Sequence, residues 1–353
     1  MMIKKLQALI PKNVDGILIV SPENRLYFTH FASSDGYLFV TRDDALFLTD
    51  SRYIEAAQKK VQNCRCEELV SLSKQLPSIA KEMGFSSLLT EADRLTVSLL
   101  SSLRKIFGKI RLSTVGTDKI INSLREIKTE EEIKNILLAQ NIAERAFEHI
   151  LKFIKPGISE RDISLELDYF MLKNGAQALS FETIAVSGVK SSMPHGVPDG
   201  KIIENGDFIT MDYGAVVNGY HSDMTRTVAV GKVSDKQRKV YNTVLTAQKN
   251  VIDFVKEGVS LSDADAAARN VIADAGYGEF FRHSTGHGVG IEIHEAPFVS
   301  PRAKAKLKKG NVITDEPGIY IPGEFGVRIE DMLLITENGC ENLTRAPKEL
   351  III

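Results

Sequence analysis

The stretch Asp212-Tyr-Gly-Ala-Val-Val-Asn-Gly-Tyr-His-Ser-Asp223 decides how the second half of the chain is expected to fold. Its Asn218-Gly219 dipeptide is a strong signal for a tight two-residue turn, so the flanking residues predict an antiparallel hairpin. The register set by this turn places Asp212 opposite Thr225, and Asp223 becomes a diagonal neighbour of Asp212 on the same face. Two carboxylates about 7 Å apart at the backbone repel each other unless a cation lies between them.

A second predicted hairpin carries another pair of carboxylates. Pro322-Gly323-Glu324-Phe325 predicts a turn between strands at residues 311–321 and 326–336. If the turn is symmetric about its glycine, Glu316 and Glu330 face each other directly. The residues beside both glutamates are apolar, which predicts that the pair is buried, and buried like charges call for a bound metal.

The segment between the two hairpins is rich in histidine and glycine. It contains His283, His287 and His294, three of the seven histidines of the chain. One imidazole with four carboxylates suits two divalent ions about 3.5–4 Å apart. Ligation mainly by oxygen favours manganese, with cobalt or zinc as alternatives. The glycine-rich run 286–290 lacks the lysine and the following Ser/Thr of a phosphate loop, which excludes that interpretation.

Beyond these motifs, the chain divides into two predicted domains. Thr129 followed by Glu132 is a capping box that starts a long amphipathic helix, and Ser159 caps a second helix. Helices and hairpins then alternate, which predicts an α+β domain over residues 124–353. Residues 1–123 alternate short apolar strands with helices and predict a smaller α/β domain.

The composition excludes several classes of protein. The 353 residues are 43% hydrophobic and 25% charged, as in an ordinary globular protein. With 44 basic and 46 acidic residues the formal net charge is −2, so we expect no nucleic-acid partner. Three cysteines are too few for a disulfide framework, and no apolar stretch approaches the roughly 18 residues that a membrane span needs. We therefore expect a cytoplasmic protein without a membrane partner.

Taken together, the motifs resemble the pita-bread metallopeptidases, and within them the Xaa-Pro branch of prolidase and aminopeptidase P. They occur in the order Asp212–Arg226, Thr285–Gly290, His294–Pro297, Glu316–Tyr320 and Gly326–Asp331. Upstream, Asn24–Thr29 and Thr49–Tyr53 resemble the creatinase-type N-terminal domain of that family. The resemblance implies a pita-bread catalytic domain after a smaller creatinase-like domain.

The resemblance also assigns site residues and chemistry. It implies that two divalent metal ions, manganese before cobalt or zinc, are bound by Asp212, Asp223, His287, Glu316 and Glu330. It implies catalytic roles for His195, His283, His294, Glu316 and Arg328. In such an enzyme a metal-bridged hydroxide attacks the bond before a proline at the second position of a peptide, and the enzyme is a homodimer. Two small departures from the family pattern are Ser284, where glycine is common, and Asp315, where a β-branched apolar residue is usual.

Several related functions remain to be separated. Our main expectation is an Xaa-Pro aminopeptidase, which acts at the N-terminus of peptides, and the alternative is a strict Xaa-Pro dipeptidase. A methionine aminopeptidase shares the ligands but would not need the domain at residues 1–123. Creatinase shares the two domains but does not use these metals. A non-catalytic peptide-binding relative loses ligands, whereas this sequence retains all five.

Overall fold

The computed structural model describes residues 2–353, which form two compact units. The first unit ends at Arg125, and the second is Glu126–Ile353. The three cysteines are free thiols. No helix among the described residues is long and apolar enough to cross a membrane.

The first unit is built around one mixed six-stranded sheet, in the order β4-β3-β2-β1-β5-β6. The predicted strands form β1, β2 and β3, which are almost entirely buried and carry the apolar core of the unit. This confirms the predicted α/β fold. Its elements are α1 (Met2–Leu9), β1 (Gly16–Ile19), α2 (Pro22–Thr29), β2 (Tyr37–Thr41), β3 (Ala45–Thr49), α3 (Ile54–Lys60), β4 (Arg65–Glu68), α4 (Leu72–Glu82), β5 (Ser87–Thr90), α5 (Val97–Phe107), β6 (Arg111–Ser113) and α6 (Thr117–Arg125).

The second unit contains four long helices and thirteen short strands within the described residues. The helices pack through their apolar faces onto the sheets, α7 and α8 in one core cluster and α9 and α10 in another. Its elements are α7 (Glu130–Phe153), α8 (Glu160–Lys173), β7 (Ala178–Leu179), β8 (Ile184–Ser187), a 3₁₀ helix (Gly188–Ser192), β9 (Phe208–Tyr213), β10 (Ala215–Val217), β11 (Tyr220–His221), β12 (Met224–Ala229), α9 (Asp235–Phe254), α10 (Leu261–Asp274), a 3₁₀ helix (Gly278–Phe280), β13 (Gly286–Gly288), β14 (Glu295–Val299), β15 (Val312–Asp315), β16 (Gly318–Ile321), β17 (Phe325–Arg328), β18 (Asp331–Ile335) and β19 (Cys340–Asn342).

The helix starts follow from local capping chemistry. The Thr129 side chain accepts from the Glu132 backbone N–H, and the Glu132 carboxylate accepts from the Thr129 backbone N–H. Ser159 and Asp162 form the same reciprocal box at the start of α8. Each box satisfies backbone donors that the first helical turn leaves without partners, so both predicted helix starts are confirmed.

The first hairpin has the predicted register. Asn218 and Gly219 have φ angles of 52° and 79°, the left-handed values that a type I′ turn requires. Asp212 lies opposite Thr225 where β9 pairs with β12. The register that the turn sets therefore persists along the whole hairpin, and it places Asp212 and Asp223 near one another.

The second hairpin keeps its predicted register but not its continuous strands. Gly318 pairs with Arg328 in the turn-proximal ladder, and Asp315 pairs with Asp331 in a different sheet. The expectation that Glu316 and Glu330 face each other in one ladder is therefore wrong, because both lie at the break between the two ladders. Pro317 follows Glu316 and has no N–H to donate to a ladder. The two glutamates hydrogen-bond elsewhere through their backbone N–H groups, to the carbonyls of Thr285 and Thr225 respectively.

Candidate metal centre and active site

Three buried side chains from separate elements converge on one point of the second unit. Asp223 precedes β12, His287 is the central residue of β13, and Glu330 lies between β17 and β18. Each offers a ligand atom, and the three atoms lie within 4.8 Å of one another. This spacing allows a single ion to contact all three side chains.

The other two predicted ligands line the same cavity. The His287 Nε2 atom lies 3.4 Å from Glu316 Oε1 and 3.6 Å from Asp223 Oδ2. Asp212 contributes an Oδ1 atom that is buried and has no hydrogen-bond partner. An orphaned buried carboxylate oxygen is costly unless something binds it. The structure thus brings all five predicted ligand residues to one wall.

The electrostatics of the cluster favour a bound cation. Burial, together with the neighbouring carboxylates, raises the pKa of Asp223 and of Glu330 well above their ordinary values. Burial likewise raises the pKa of Glu316 to about 8, although Arg328 opposes this effect. A divalent cation would compensate such crowded carboxylates, and a donor set of carboxylates and one imidazole suits several divalent metals. The residues present therefore fit a divalent metal site.

Hydrogen bonds around the cluster orient its ligands. The His287 Nδ1 atom lies 3.2 Å from the Gly288 carbonyl, which can only accept, so Nδ1 carries the proton and Nε2 is left as a ligand atom. Burial lowers the pKa of His287 to about 4, which keeps the imidazole neutral. Thr225 donates to Glu330 Oε2 at 2.6 Å, and Thr314 donates to Glu316 Oε1 at 3.2 Å.

A chain of hydrogen bonds runs from His283 to Asp212. The Tyr320 hydroxyl lies 3.0 Å from His283 Nε2 and accepts from Arg328 at 2.9 Å, and Arg328 in turn donates to Asp212. His283 Nδ1 faces the Ser284 carbonyl at 2.8 Å, and burial lowers the pKa of His283 to about 4. The neutral ring therefore carries its proton on Nδ1, and Nε2 accepts from Tyr320.

Sequence reasoning did not assign a role to Tyr320 or to the two threonines. Tyr320 belongs to a quoted motif, Glu316–Tyr320, and Thr225 is the residue that the hairpin register places opposite Asp212. The motif and the register thus drew attention to Tyr320 and Thr225, but neither pattern predicts a hydrogen bond to a side chain that is distant in the sequence. Thr314 precedes Glu316 by two residues in a strand, which predicts a shared face but no hydrogen bond.

The remaining predicted residues line the cavity next to the cluster. The His294 ring packs edge-to-face on the His287 ring, with centroids 4.3 Å apart. His195 lies in an irregular segment of which Pro194–Pro198 all line the cavity. The cavity has a volume of about 750 Å³, which is ample for a short peptide. Helix α8 forms another part of the wall through side chains on one face, namely Arg161, Ser164, Leu165 and Asp168.

The departure at Asp315 directly precedes the predicted ligand Glu316. Its side chain is fully buried, and neither carboxylate oxygen has a hydrogen-bond partner among the described residues. Burial and the nearby Asp331 raise the pKa of Asp315. Ser284, the other departure, also lines the cavity, and its backbone carbonyl faces His283 Nδ1.

Comparisons with known proteins agree with this geometry. Residues 134–337 match the metallopeptidase family M24, and residues 2–127 match the creatinase/prolidase N-terminal domain. The Xaa-Pro dipeptidase of Pyrococcus horikoshii is 40% identical over 352 residues, which are 99% of this chain and 98% of that protein. The solved Xaa-Pro dipeptidase from Bacillus anthracis has a TM-score of 0.95 and 44% identity, with 99% of each chain covered. The solved X-Pro aminopeptidase from Thermotoga maritima has a TM-score of 0.93 and 35% identity, with 99% of this chain and 100% of that chain covered.

These matches cover both units and confirm the predicted architecture, a pita-bread catalytic domain with a creatinase-type N-terminal domain. M24 membership also implies divalent metal ions, in agreement with the buried carboxylate and imidazole cluster. The chain therefore belongs to the metallopeptidase family M24 and is a metallo-exopeptidase.

Proposed function

We propose that this protein is an Xaa-Pro dipeptidase, which hydrolyses dipeptides with proline in the second position. The observation that carries the proposal is the buried cluster of Asp223, His287 and Glu330, with Asp212 and Glu316 on the same cavity wall. The sequence favoured an aminopeptidase acting on longer peptides. The comparisons favour the dipeptidase instead, because relatives named Xaa-Pro dipeptidase match at 40% and 44% identity, whereas the X-Pro aminopeptidase of Thermotoga maritima matches at 35%.

Two divalent ions would be held by the carboxylates of Asp212, Asp223, Glu316 and Glu330 and by Nε2 of His287. We propose manganese, with cobalt or zinc as alternatives, because four of the five ligands supply oxygen. When bound, the ions supply Lewis-acid activation of water and of the scissile carbonyl. From the resemblance we further propose a homodimer, and from the small number of cysteines we propose that it works in the cytoplasm.

The chain's own groups would bind the substrate and move protons. Glu316 Oε1 accepts from Thr314, which leaves Oε2 to take a proton from water and deliver it to the proline nitrogen. His294 would donate a hydrogen bond to the carbonyl oxygen of the scissile bond. His195 would contact the proline side of the substrate. His283 cannot donate from Nε2 while that atom accepts from Tyr320, so we assign it to holding Tyr320 and Arg328 in place.

A second candidate function is the aminopeptidase. Arg328 is only 3% exposed and is bound to Asp212, so it is not free to recognise the carboxylate of a dipeptide. Phe298, by contrast, is 53% exposed and lines the cavity with an apolar ring. Both observations are compatible with a peptide chain that continues beyond proline.

Matched substrates test the proposal. The metal-depleted protein would be assayed with Ala-Pro, Ala-Pro-Ala, Ala-Ala and Met-Ala, each with added manganese, cobalt or zinc. We expect metal-dependent release of free proline from Ala-Pro, and little cleavage of the two dipeptides without proline. Faster cleavage of Ala-Pro-Ala than of Ala-Pro would favour the aminopeptidase. No cleavage of either proline peptide would refute both.

A further inference from the structure

The segment that carries His195 has little regular structure of its own. We call residues 187–199 the His195 loop. It begins at the last residue of β8, forms the 3₁₀ helix Gly188–Ser192 and continues without regular structure to residue 199. The His195 ring is exposed and makes no hydrogen bond within the described residues, so its position depends on the backbone of the loop.

One fully buried carboxylate holds the start of the His195 loop. Glu160, the first residue of α8, is 0% exposed. Its Oε1 atom accepts from the Ser187 backbone N–H at 2.6 Å and from the Ser187 hydroxyl at 3.0 Å. Its Oε2 atom accepts from Lys190 Nζ at 2.6 Å. Glu160 thus ties α8 to the first residues of the loop.

Lys190 joins the two ends of the His195 loop. Besides Glu160, its Nζ atom contacts the Val197 carbonyl oxygen at 2.9 Å and Asp199 Oδ2 at 2.9 Å. These three acceptors use all three N–H groups of the ammonium. Val197 and Asp199 lie two and four residues after His195, whereas Lys190 precedes it by five. The ammonium therefore connects the parts of the chain that lie on either side of His195, and we call this set of contacts the bracket.

The bracket is better suited to fixing geometry than to adding stability. A buried ion pair contributes little net stability compared with apolar side chains of similar size, because both charges lose their hydration. The Lys190 side chain is 19% exposed and its partner carboxylate is 0% exposed. The pair fixes the backbone conformation of an otherwise irregular loop. The loop lies next to an active site, where displacement of a catalytic group by about 1 Å can lower the rate a hundredfold.

We propose that the Glu160–Lys190 ion pair is a positioning device that holds His195 at the substrate. It acts through the His195 loop and touches neither the predicted metal ligands nor the substrate. The proposal rests on the proposed function, because only a catalytic or binding role of His195 makes its position matter.

The first test measures the loop without measuring activity. Hydrogen–deuterium exchange of the full-length, metal-loaded protein would be compared for wild type, Lys190→Met and Lys236→Met. Lys236 is the matched control, because it also binds a carboxylate at 2.6 Å, but the pair is exposed and lies outside the cavity. We expect exchange at residues 193–199 to rise about tenfold or more in Lys190→Met only. Unchanged exchange in that variant would overturn the proposal.

The second test asks whether the pair acts through His195. Lys190→Met would be made in the wild-type and in the His195→Ala backgrounds, and kcat and KM would be measured with Ala-Pro. We expect kcat/KM to fall about tenfold in the wild-type background and less than about twofold in the His195→Ala background. Metal content should stay unchanged. Equal losses in both backgrounds would overturn the positioning role.

Failure of the proposed function can be distinguished from failure of this inference. If the wild-type protein cleaves no proline peptide, the proposed function fails, and the exchange measurement alone decides whether the pair holds the loop. If the wild type cleaves Ala-Pro but Lys190→Met lowers kcat/KM equally in the wild-type and His195→Ala backgrounds, the proposed function stands and the inference fails. Glu160→Gln provides a second variant, in which the shape is kept and only the charge is removed.

Discussion

Arg328 donates to Asp212 Oδ2 across 2.5 Å, and the two side chains are 4% and 14% exposed. This contact joins a residue with a predicted catalytic role to a predicted metal ligand. It orients the Asp212 carboxylate while the second oxygen, Oδ1, remains without a partner. The arrangement is that of a charged group that holds a ligand in place, with the unpartnered oxygen left for a cation.

Loss of a central carboxylate should abolish metal binding. Asp223→Asn and Glu330→Gln keep the shape of the side chain but remove its charge, and we expect kcat with Ala-Pro to fall by about a thousandfold or more, since Lewis-acid activation contributes several kcal/mol. Metal content, measured on the purified variants, should fall with it. Wild-type turnover by either variant in a metal-free preparation would contradict a metal-dependent mechanism.

The two neighbouring histidines should behave differently. His287→Ala removes the only nitrogen ligand and should lose bound metal. His294→Ala should retain the metal but lower kcat about a hundredfold, the usual effect of removing one transition-state donor. Metal analysis beside steady-state kinetics separates the two outcomes. An equal loss of metal from both variants would show that the assigned division of roles is wrong.

Removal of the Tyr320 hydroxyl should uncouple His283 from Arg328. In Tyr320→Phe, His283 Nε2 loses its donor and Arg328 loses one acceptor, so Asp212 is held less firmly. We expect metal affinity or kcat/KM to fall about tenfold to a hundredfold, as is typical of residues that orient ligands. Tyr169→Phe, at a tyrosine that is 59% exposed, is the control and should leave both unchanged. An unaltered Tyr320→Phe enzyme would mean that the hydrogen-bond chain has no role in catalysis.

The metal-free protein should lose stability as the pH rises. The pKa of Glu316 is raised by burial to about 8, so between pH 6.5 and 8 the folded state retains a proton that the unfolded state has released. Stability then falls by about 1.4 kcal/mol per pH unit for each such proton. Asp223 and Glu330 are shifted in the same direction. Histidines whose pKa is lowered to about 4 oppose the trend near pH 6.5, where the unfolded imidazole is still half protonated, and are neutral in both states above about pH 7.5. The fall in stability should therefore be clearest above about pH 7.5.

Thermal unfolding of the apo protein at several pH values would measure this effect. Adding divalent metal should flatten the pH dependence, because the ion favours the ionised carboxylates. Without metal, Glu316→Gln should reduce the pH dependence, although Asp223 and Glu330 still contribute to it. A melting temperature of the apo protein that rises between about pH 7.5 and 8.5 would contradict the prediction.

Local chemistry in the sequence accounts for the parts of the fold that were predicted correctly. The capping boxes at Thr129 and Ser159 involve residues three apart, and the Asn218-Gly219 turn sets its register through adjacent φ angles. Such features depend on residues that are close in the sequence, so they can be predicted without knowledge of the fold. The spacing of Asp212 and Asp223 follows from that register. Likewise, the conjunction of carboxylates with His287 indicated a metal site, because few other arrangements stabilise so many crowded charges.

Tertiary structure alone decided how the site is assembled and held. At the break between the two ladders, the backbone N–H groups of Glu316 and Glu330 donate to Thr285 and Thr225, which lie outside the hairpin and which no hairpin register reveals. The contacts from His283 to Tyr320, from Tyr320 to Arg328 and from Glu160 to Lys190 join residues between 8 and 37 positions apart. Side chains at such separations meet only after the sheets and helices have packed. Residue types and their spacing therefore predicted a metal centre, whereas the packing of sheets and helices decides which of its groups already have hydrogen-bond partners.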